Sequence, residues 1–282
     1  MVLFKPNANL IVKGKLIVKG SIEKPVMFKG YRFESYYQKV PGQWGSIIFD
    51  STSTNNKIEN SIIANGTTGM RVQSSKVNLS LKNVKVEYMS YAALMAQGST
   101  IEAVNCIFAN SDKYALLLSQ GGNYSFTHIT VSNYDNSSIR NTASVSISNY
   151  KIVASSELPA DITKALFQNS IIVGSLEDEI KFDKKNSALF NVQFDNCLVK
   201  QSKSSEYFNA ATKNIKSTDK FSLFTVKGDE YMLDSASIAR DIGNIAIATP
   251  FPLDIKGRSR IVDGKPDLGA YEYFKDTSNV KK

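Results

Sequence analysis

A short pattern recurs seven times along this chain of 282 residues. In each copy, a polar side chain stands among apolar and β-branched residues, and successive copies lie 23, 22, 23, 21, 20 and 27 residues apart. The recurring positions are Asn60, Asn83, Asn105, His128, Asn149, Asn169 and Asn196. Repeats of this length cannot bury a core alone and must stack on their neighbours. The period therefore predicts a solenoid, and the short β-branched runs predict strands.

Aligning the seven copies gives columns of similar residues. Because side chains alternate along a strand, two apolar columns should face inward and the column between them outward. The inward columns are Ile63, Val86, Phe108, Val131, Ile152, Ile172 and Val199, and Ser61, Val84, Cys106, Ile129, Tyr150, Ser170 and Cys197. The outer column is Ile62, Lys85, Ile107, Thr130, Lys151, Ile171 and Leu198. This mixture predicts a partly solvated sheet face.

A second strand recurs later in the first three repeats. Its apolar pairs are Met70/Val72, Leu94/Ala96 and Leu116/Leu118. Each repeat therefore carries at least two strands. The fold class predicted is all-β, a single-stranded parallel β-helix of about 20–23 residues per coil.

The polar column has a structural explanation that needs no ligand. An amide turned inward at a bend offers a donor and an acceptor, so stacked copies can bond one another as a ladder. His128 is the only histidine of the chain. We interpret it as a ladder member, because imidazole also donates and accepts and no second histidine exists to share a metal ion.

The two cysteines occupy one column. By this alignment Cys106 and Cys197 lie four coils apart, which is ~19 Å at about 4.8 Å per coil. A disulfide needs Cα atoms within about 7 Å. We expect both thiols to be buried and unbonded.

The charge of the chain limits its partners. The formal net charge is +8, from 34 Lys and Arg against 26 Asp and Glu. The lysines are scattered and only six residues are arginine, so the arginine-rich, aromatic runs typical of nucleic-acid binding are missing. A basic surface suits an acidic polysaccharide or an anionic cell envelope. No stretch approaches the ~20 apolar residues of a membrane span.

Both ends of the chain carry recognisable motifs. The opening contains residues 4–8 (FKPNA), 10–20 (LIVKGKLIVKG), 25–28 (PVMF) and 44–49 (WGSIIF), and the close contains residues 241–243 (DIG), 254–260 (DIKGRSR) and 263–273 (DGKPDLGAYEY). The opening resembles the first coils of secreted bacterial right-handed parallel β-helix proteins of the pectin-lyase-like fold. The close resembles the choice-of-anchor Q type C-terminal segment found on such proteins. The resemblance implies right-handed coils and a bacterial surface or periplasmic location.

These features divide the chain into three parts. We expect β-helix coils over residues 1–230 with longer loops after about residue 133, a capping segment over 231–274 and a flexible tail over 275–282. Since strand-like sequence begins at once, we also expect residues before Met1, including an export signal, to be missing.

The capping segment gathers carboxylates and arginines. Because the terminal unit of a solenoid must cover an open core, we interpret these residues as structural, with Arg258 in a bidentate ion pair and Tyr271 buried on the last coil. The assigned cap residues are Asp241, Asp254, Arg258, Asp267, Tyr271 and Glu272. The fold requires no cofactor, although such carboxylates could hold calcium.

The long loops of the later coils form the candidate ligand site. They span residues 133–144, 154–165, 174–188 and 200–222. Insertions at matching points of a solenoid gather on one side, where they can form a groove. Aromatic rings beside amides and carboxylates suit sugar rings. The candidate ligand-binding residues are Tyr134, Asp135, Arg140, Tyr207 and Phe208.

Three functions are compatible with this sequence. The first is non-catalytic binding of polysaccharide or cell-envelope glycan, or adhesion, by an exported monomer. The second is a polysaccharide lyase for an acidic glycan, which needs a basic residue beside two carboxylates in a groove. The outer strand positions show no such pair, so no catalytic or metal-binding residue is assigned. The third is a structural spacer without a small ligand.

Overall fold

The computed structural model describes residues 1–134, 139–215, 223–225 and 231–275. Over these residues the chain is built almost entirely of short strands. The strands are β1 (Val2–Phe4), β2 (Leu10–Val12), β3 (Ile17–Lys19), β4 (Val26–Gly30), β5 (Trp44–Phe49), β6 (Asn56–Ala64), β7 (Gly66–Val72), β8 (Asn78–Met89), β9 (Ala92–Gln97), β10 (Thr100–Val104), β11 (Ile107–Ser111), β12 (Tyr114–Ser119), β13 (Gly122–Thr127), β14 (Thr130–Asn133), β15 (Val145–Ser148), β16 (Tyr150–Val153), β17 (Ser156–Pro159), β18 (Ile162–Gln168), β19 (Ile171–Gly174), β20 (Ile180–Asp183), β21 (Phe190–Asp195), β22 (Leu198–Lys200) and β23 (Lys213–Ile215). A 3₁₀ helix spans Ser35–Lys39 and a short helix, α1, spans Ile245–Ala248.

Apart from β16 and β17, the strands pair in parallel with the strands of neighbouring repeats and fall into three columns. In the first column, β8 is followed by β10, β13, β18 and β21, and in the second by β11, β14, β19, β22 and β23. The third column is the separate sheet β2-β5-β7-β9-β12-β15-β20. β6 and β8 belong to the first column with their first halves and to the second with their second halves. The fold is therefore all-β with long parallel sheets, consistent with a parallel β-helix or another parallel solenoid.

One apolar core is shared by the three columns. Leu81 of the first column, Val86 of the second and Leu94 of the third belong to the same buried cluster. In the third column Leu94 lies opposite Met70 on one side and Leu116 on the other, which confirms the second recurring strand. No helix among the described residues has the length and hydropathy to cross a bilayer.

Aromatic rings continue through the core of the first column. The ring of Phe167 stacks on Phe126 and Phe194, with centroid distances of 4.8 and 4.5 Å. Tyr207 and Phe208 pack against the same cluster beyond Phe194. Phe208 also forms a parallel bridge with Phe194, and β23 pairs with β22, so the described part of residues 200–222 continues the repeat.

The sequence alignment misplaces one repeat. Val131 of β14 is followed in the second column by Ile172 of β19, with no intervening strand. Residues 150–153 instead form β16, which pairs antiparallel with β17, and Ile152 is 67% exposed. Asn149, Tyr150, Lys151 and Ile152 therefore do not belong to the predicted columns. The expected loop at 154–165 contains β17 and the start of β18, and the one at 174–188 contains β20.

The corrected register changes the spacing of the cysteines. Pairing of β11 with β14, β14 with β19 and β19 with β22 places Cys106 and Cys197 three repeats apart, or ~14 Å. Both are buried and unbonded, as predicted. Burial raises the pKa of each thiol to about 12. Neither thiol is a reactive group.

The outer face of the second column is covered from Ile107 onward, whereas Ile62 and Lys85 are partly exposed. The prediction of a partly solvated face therefore holds only for the first two repeats. Ile107, Thr130, Ile171 and Leu198 are buried. The C-terminal segment, which we define as residues 231–275, packs against them: Leu268 contacts the cluster of Ile171, and Tyr271 that of Ile107. Tyr271 is buried, as expected, but it packs against β11 in the middle of the stack and not against the last coil. The segment lies along the side of the repeats.

The corrected register predicts different outcomes for two isoleucine-to-alanine changes. Ile172→Ala removes core atoms and should lower the free energy of unfolding by ~2–5 kcal/mol. Ile152→Ala acts on an exposed hairpin and should change that free energy by less than about 0.5 kcal/mol. Urea unfolding followed by far-ultraviolet circular dichroism measures both. A large loss in the Ile152 variant would restore the register predicted from the sequence.

Candidate functional site: a groove beside the amide ladder

Six of the seven recurring polar residues share an uncommon backbone conformation. Asn60, Asn83, Asn105, His128, Asn169 and Asn196 have φ between +46° and +55°. Asparagine enters this left-handed region more readily than most residues because its short polar side chain can bond locally. Asparagine therefore recurs because the chain must bend at this position, between the first and second columns. Asn149 does not have this conformation.

The ladder side chains contact one another along the stack. Asn83 Nδ2 donates to Asn60 Oδ1 at 2.9 Å, and Asn105 Nδ2 donates to Asn83 Oδ1 at 3.2 Å. Asn169 Nδ2 lies 3.4 Å from Nε2 of His128. Since an amide nitrogen can only donate, Nε2 accepts this bond and the imidazole is neutral. Burial, and then the charge of Arg260, hold the pKa of His128 well below its usual value.

The ladder faces outward, where the prediction had it turned inward. Asn105 Nδ2 donates to the carbonyl of Leu253, and Asn196 Nδ2 donates to that of Ile242. The backbone N–H of Asn244 donates to Asn169 Oδ1 at 2.9 Å. These three partners lie in the C-terminal segment, outside the repeat core. The ladder side chains thus hydrogen-bond the C-terminal segment to the repeats.

A buried arginine holds the C-terminal segment on the ladder. Arg260 donates to Oδ1 of Asn105 at 3.2 Å, to the carbonyls of Gly269 and Ala270, and to Oε2 of Glu272 at 3.4 Å. Burial and then the neighbouring Asp267 carboxylate raise the pKa of Glu272 to about 8. Arg258, predicted to form the bidentate pair, instead reaches the Glu272 backbone carbonyl and the ring of Phe274.

The other assigned cap residues bond backbone groups of the same segment. Asp254 accepts N–H bonds from Lys256, Arg258 and Glu272. Asp267 accepts from Asp241 and Tyr273. Their carboxylate oxygens thus stabilise the turns of the segment. Among the described residues, no three His, Cys, Asp or Glu side chains are grouped as metal ligands.

The C-terminal segment leaves the first part of the ladder uncovered. There, two adjoining clefts of about 390 and 90 Å³ share Ile22, Asn60 and Asn83. The larger cleft is also lined by Glu59, Lys82, Val104, Asn105, Pro250, Phe251, Pro252, Leu253, Asp254 and Gly257, and the smaller by Ser21, Pro25, Ser61, Ile62, Lys85, Ile255, Lys256 and Tyr271. We call the two clefts together the ladder groove. Its walls are the early repeats and the C-terminal segment.

The ladder groove offers amides, a cation and an aromatic ring. Within the described part of the chain, Nδ2 of Asn60 makes one hydrogen bond and Nδ2 of Asn83 makes one, so each amide keeps a further N–H. Lys82 is exposed at the rim and Phe251 is half-buried. Lined by these groups, the groove can hydrogen-bond hydroxyl groups, pair with a carboxylate and contact an apolar ring face.

The carboxylates of the ladder groove do not form an acid–base pair. Its walls contain Glu59 and Asp254, and Asp254 is buried with both oxygens accepting backbone N–H bonds. Arg260, which lies beside several carboxylates, is buried between the C-terminal segment to which it belongs and the ladder residue Asn105.

The residues predicted to bind a ligand do not come together. Tyr134 packs in the apolar cluster under the C-terminal segment, and Tyr207 and Phe208 pack on the aromatic core. Asp135 lies outside the described residues. Arg140 is buried in a bidentate pair with Glu179, with nitrogen–oxygen distances of 2.8 and 2.5 Å.

The pair of Arg140 and Glu179 stabilises a corner of the repeats. Glu179 also accepts bonds from Ser144 and from the N–H of Leu176, while Arg140 donates to the carbonyls of Asn133 and Thr142. Three segments are joined by this buried network: the end of β14, residues 140–144 and residues 176–179. Arg140 therefore has a structural role, and its position in a predicted loop gave no sign of its partner.

Comparisons with known proteins do not add to this geometry. No protein-family model matches the chain, and no curated protein matches it either. The resemblance of its two ends to secreted β-helix proteins therefore rests on the motifs quoted above.

The neutral imidazole of the ladder predicts a pH-dependent effect. The unfolded chain binds a proton at His128 below the ordinary pKa of 6.5, whereas the folded chain, in which this pKa is lowered, binds it only at a more acidic pH. This difference leaves stability intact above pH 6.5 and lowers it as the pH falls. His128→Asn should match the wild type at pH 7.5 and exceed it at pH 5 by up to about 2 kcal/mol. His128→Leu should lose ~1–3 kcal/mol at pH 7.5.

Urea unfolding of the three proteins at both pH values measures these differences. Equal curves for the Asn and Leu variants at pH 7.5 would contradict the ladder interpretation. A wild type no less stable than His128→Asn at pH 5 would contradict the neutral imidazole.

Arg260 and Arg258 provide a matched pair for the C-terminal segment. Arg260→Met leaves Glu272 and several acceptors without their buried donor and should lower the free energy of unfolding by ~3–5 kcal/mol. Arg258→Met, at a half-buried position, should cost less than about 1 kcal/mol. Limited proteolysis should also release the segment from the first variant faster. Equal losses in the two variants would show that Arg260 does not anchor the segment.

Proposed function

We propose that this protein is an exported, right-handed parallel β-helix that binds an acidic glycan in the ladder groove without cleaving it. Three parallel strand columns around one core support the β-helix. The handedness and the bacterial surface or periplasmic location are supported by the resemblance of the two ends. If the glycan belongs to a cell envelope, the same binding would attach the protein to that surface and so produce adhesion.

The observation that carries the proposal is the uncovered part of the ladder. Asn60 and Asn83 are part-buried in a cleft whose rim carries Lys82 and whose opposite wall carries Phe251. A sugar ring presents an apolar face and hydroxyl edges, which match an aromatic ring and amide groups. A uronic acid adds a carboxylate, which matches lysine and the net charge of +8.

The proposal is non-catalytic because the two carboxylates that line the described groove, Glu59 and Asp254, do not form an acid–base pair. Elimination requires a base near the reacting carbon and a means to neutralise the substrate carboxylate. In the described groove, Lys85 is paired with Glu87 at 3.0 Å, and Asp254 is engaged by the backbone. A spacer function would need no groove of this composition.

Two groove variants should lose affinity for a polyuronate. Lys82→Ala and Phe251→Ala each remove one proposed contact, and we expect about a tenfold weaker Kd, or ~1.4 kcal/mol. Lys164→Ala is the matched control, since Lys164 is an exposed lysine further along the same sheet. Retardation in gels containing polygalacturonate gives the affinities, with a neutral glucan gel as reference.

The same incubations should show no new ultraviolet absorbance from unsaturated products. Such absorbance would make the protein a lyase. Equal weakening by Lys164→Ala would mean attraction by overall charge, and unchanged retardation of both groove variants would remove the groove from the interaction.

A further inference from the structure

An aromatic segment stands outside the repeat pattern. Between β4 and β5 the chain runs through residues 31–40 (YRFESYYQKV), which we call the aromatic insertion. Tyr31, Phe33 and Tyr36 are 43, 56 and 77% exposed. Aromatic side chains stabilise a fold by burial, so three exposed rings within six residues are not explained by the core. Such a patch is typical of an interaction surface.

The aromatic insertion is held in place by two amides of the repeats. Gln43 Nε2 donates to the carbonyls of Tyr37 and Val40 at 2.6 and 2.8 Å. Asn65, which is buried at a bend with φ of +67°, donates to the carbonyls of Gln38 and Val40 at 2.9 and 3.0 Å. These bonds hold the second half of the insertion, residues 37–40, before any ligand arrives, which reduces the entropy lost on binding.

Cations lie beside the exposed rings. The guanidinium of Arg32 lies 4.3 Å from the centroid of the Tyr37 ring, and Nζ of Lys29 lies 5.4 Å from that of Phe33. Lys29, Arg32 and Lys39 against Glu34 give residues 29–39 a formal charge of +2. An anion stacked on these rings would therefore meet positive charge.

A cleft of about 480 Å³ opens between these side chains. Tyr31, Arg32, Phe33, Glu34 and Tyr37 line it. Every one of them either has an aromatic face or can form a hydrogen bond or ion pair. This combination recognises a pyranose ring by stacking and its hydroxyl and acidic groups by polar contacts.

We propose that the aromatic insertion is a second saccharide-binding site, selective for anionic sugars. The ring of Phe33 stacks on a pyranose, Arg32 and Lys29 pair with its carboxylate or sulfate group, and Glu34 accepts a bond from a hydroxyl group. A saccharide fits better than an anionic membrane surface. The insertion exposes no leucine or isoleucine that could enter a bilayer, and Glu34 would face the lipid phosphates.

The second site is separate from the ladder groove. Pro25, just before β4, lines the groove, and Tyr31, just after β4, begins the lining of the insertion cleft. The six residue steps from Pro25 to Tyr31 across β4 place the two about 20 Å apart. A short saccharide therefore occupies each site independently, and a variant in one site leaves the other intact.

Titration calorimetry of the full chain with tetragalacturonate tests the proposal, with cellotetraose as the neutral counterpart. Phe33→Ala and Arg32→Gln should each lower the affinity of the insertion cleft for tetragalacturonate by tenfold or more. Lys82→Ala should lower only the affinity of the ladder groove. Phe274→Ala is the matched control, because Phe274 is also 56% exposed with a cation, Arg258, 5.0 Å from its ring centroid. This variant should leave the affinities of both sites within twofold of their wild-type values.

The outcomes separate this proposal from the groove. If Lys82→Ala has no effect but Phe33→Ala removes the binding, the groove proposal fails and the second site stands. If Phe33→Ala and Arg32→Gln retain wild-type isotherms, at unchanged melting temperatures, the second site is overturned. It is also overturned if Phe33→Ala abolishes binding to phosphatidylglycerol vesicles while the wild type binds no tetragalacturonate.

Discussion

The left-handed bend between the first and second strand columns is the constraint on which this structure depends. Each repeat must bend from one column to the next within one residue, and asparagine enters the required conformation at low cost. The bend leaves its side chain pointing outward, so one local requirement produces a continuous row of amides. Along that row the amides bond each other, the C-terminal segment and a buried arginine. Backbone geometry, lateral packing and the proposed groove thus have a common origin.

The C-terminal segment completes the molecule from the side. It covers Ile107 and Ile171, which would otherwise expose apolar surface, and Arg260 joins it to Asn105 across 155 positions of the sequence. Because it reaches the ladder only from Asn105 onward, Asn60 and Asn83 stay accessible. The ladder groove is therefore a boundary between two parts of the chain that are distant in sequence.

The periodic parts of the fold could be predicted, because an alternating pattern depends on neighbouring residues alone. The recurring strand pairs Met70/Val72 and Leu94/Ala96 were found in this way, and so were the buried thiols. Residues 147–152 (ISNYKI) show the limit of such a pattern: β-branched residues around an asparagine suit a hairpin as well as a bend between columns. Only the strand pairing distinguishes the hairpin from the bend. The residue that takes the place in the second column is Ile172, twenty residues after Ile152.

The candidate site was harder to predict because partners decide what an exposed residue does. Arg140 and Tyr207 had the composition of a sugar site, but one is neutralised by Glu179 and the other packs on Phe182 at a centroid distance of 4.6 Å. The aromatic insertion is the opposite case: its composition is visible in the sequence, but it lies between two repeats, so a periodic pattern does not select it. Since the repeats use their aromatic rings in the core, rings that the fold leaves exposed are the ones free to serve binding.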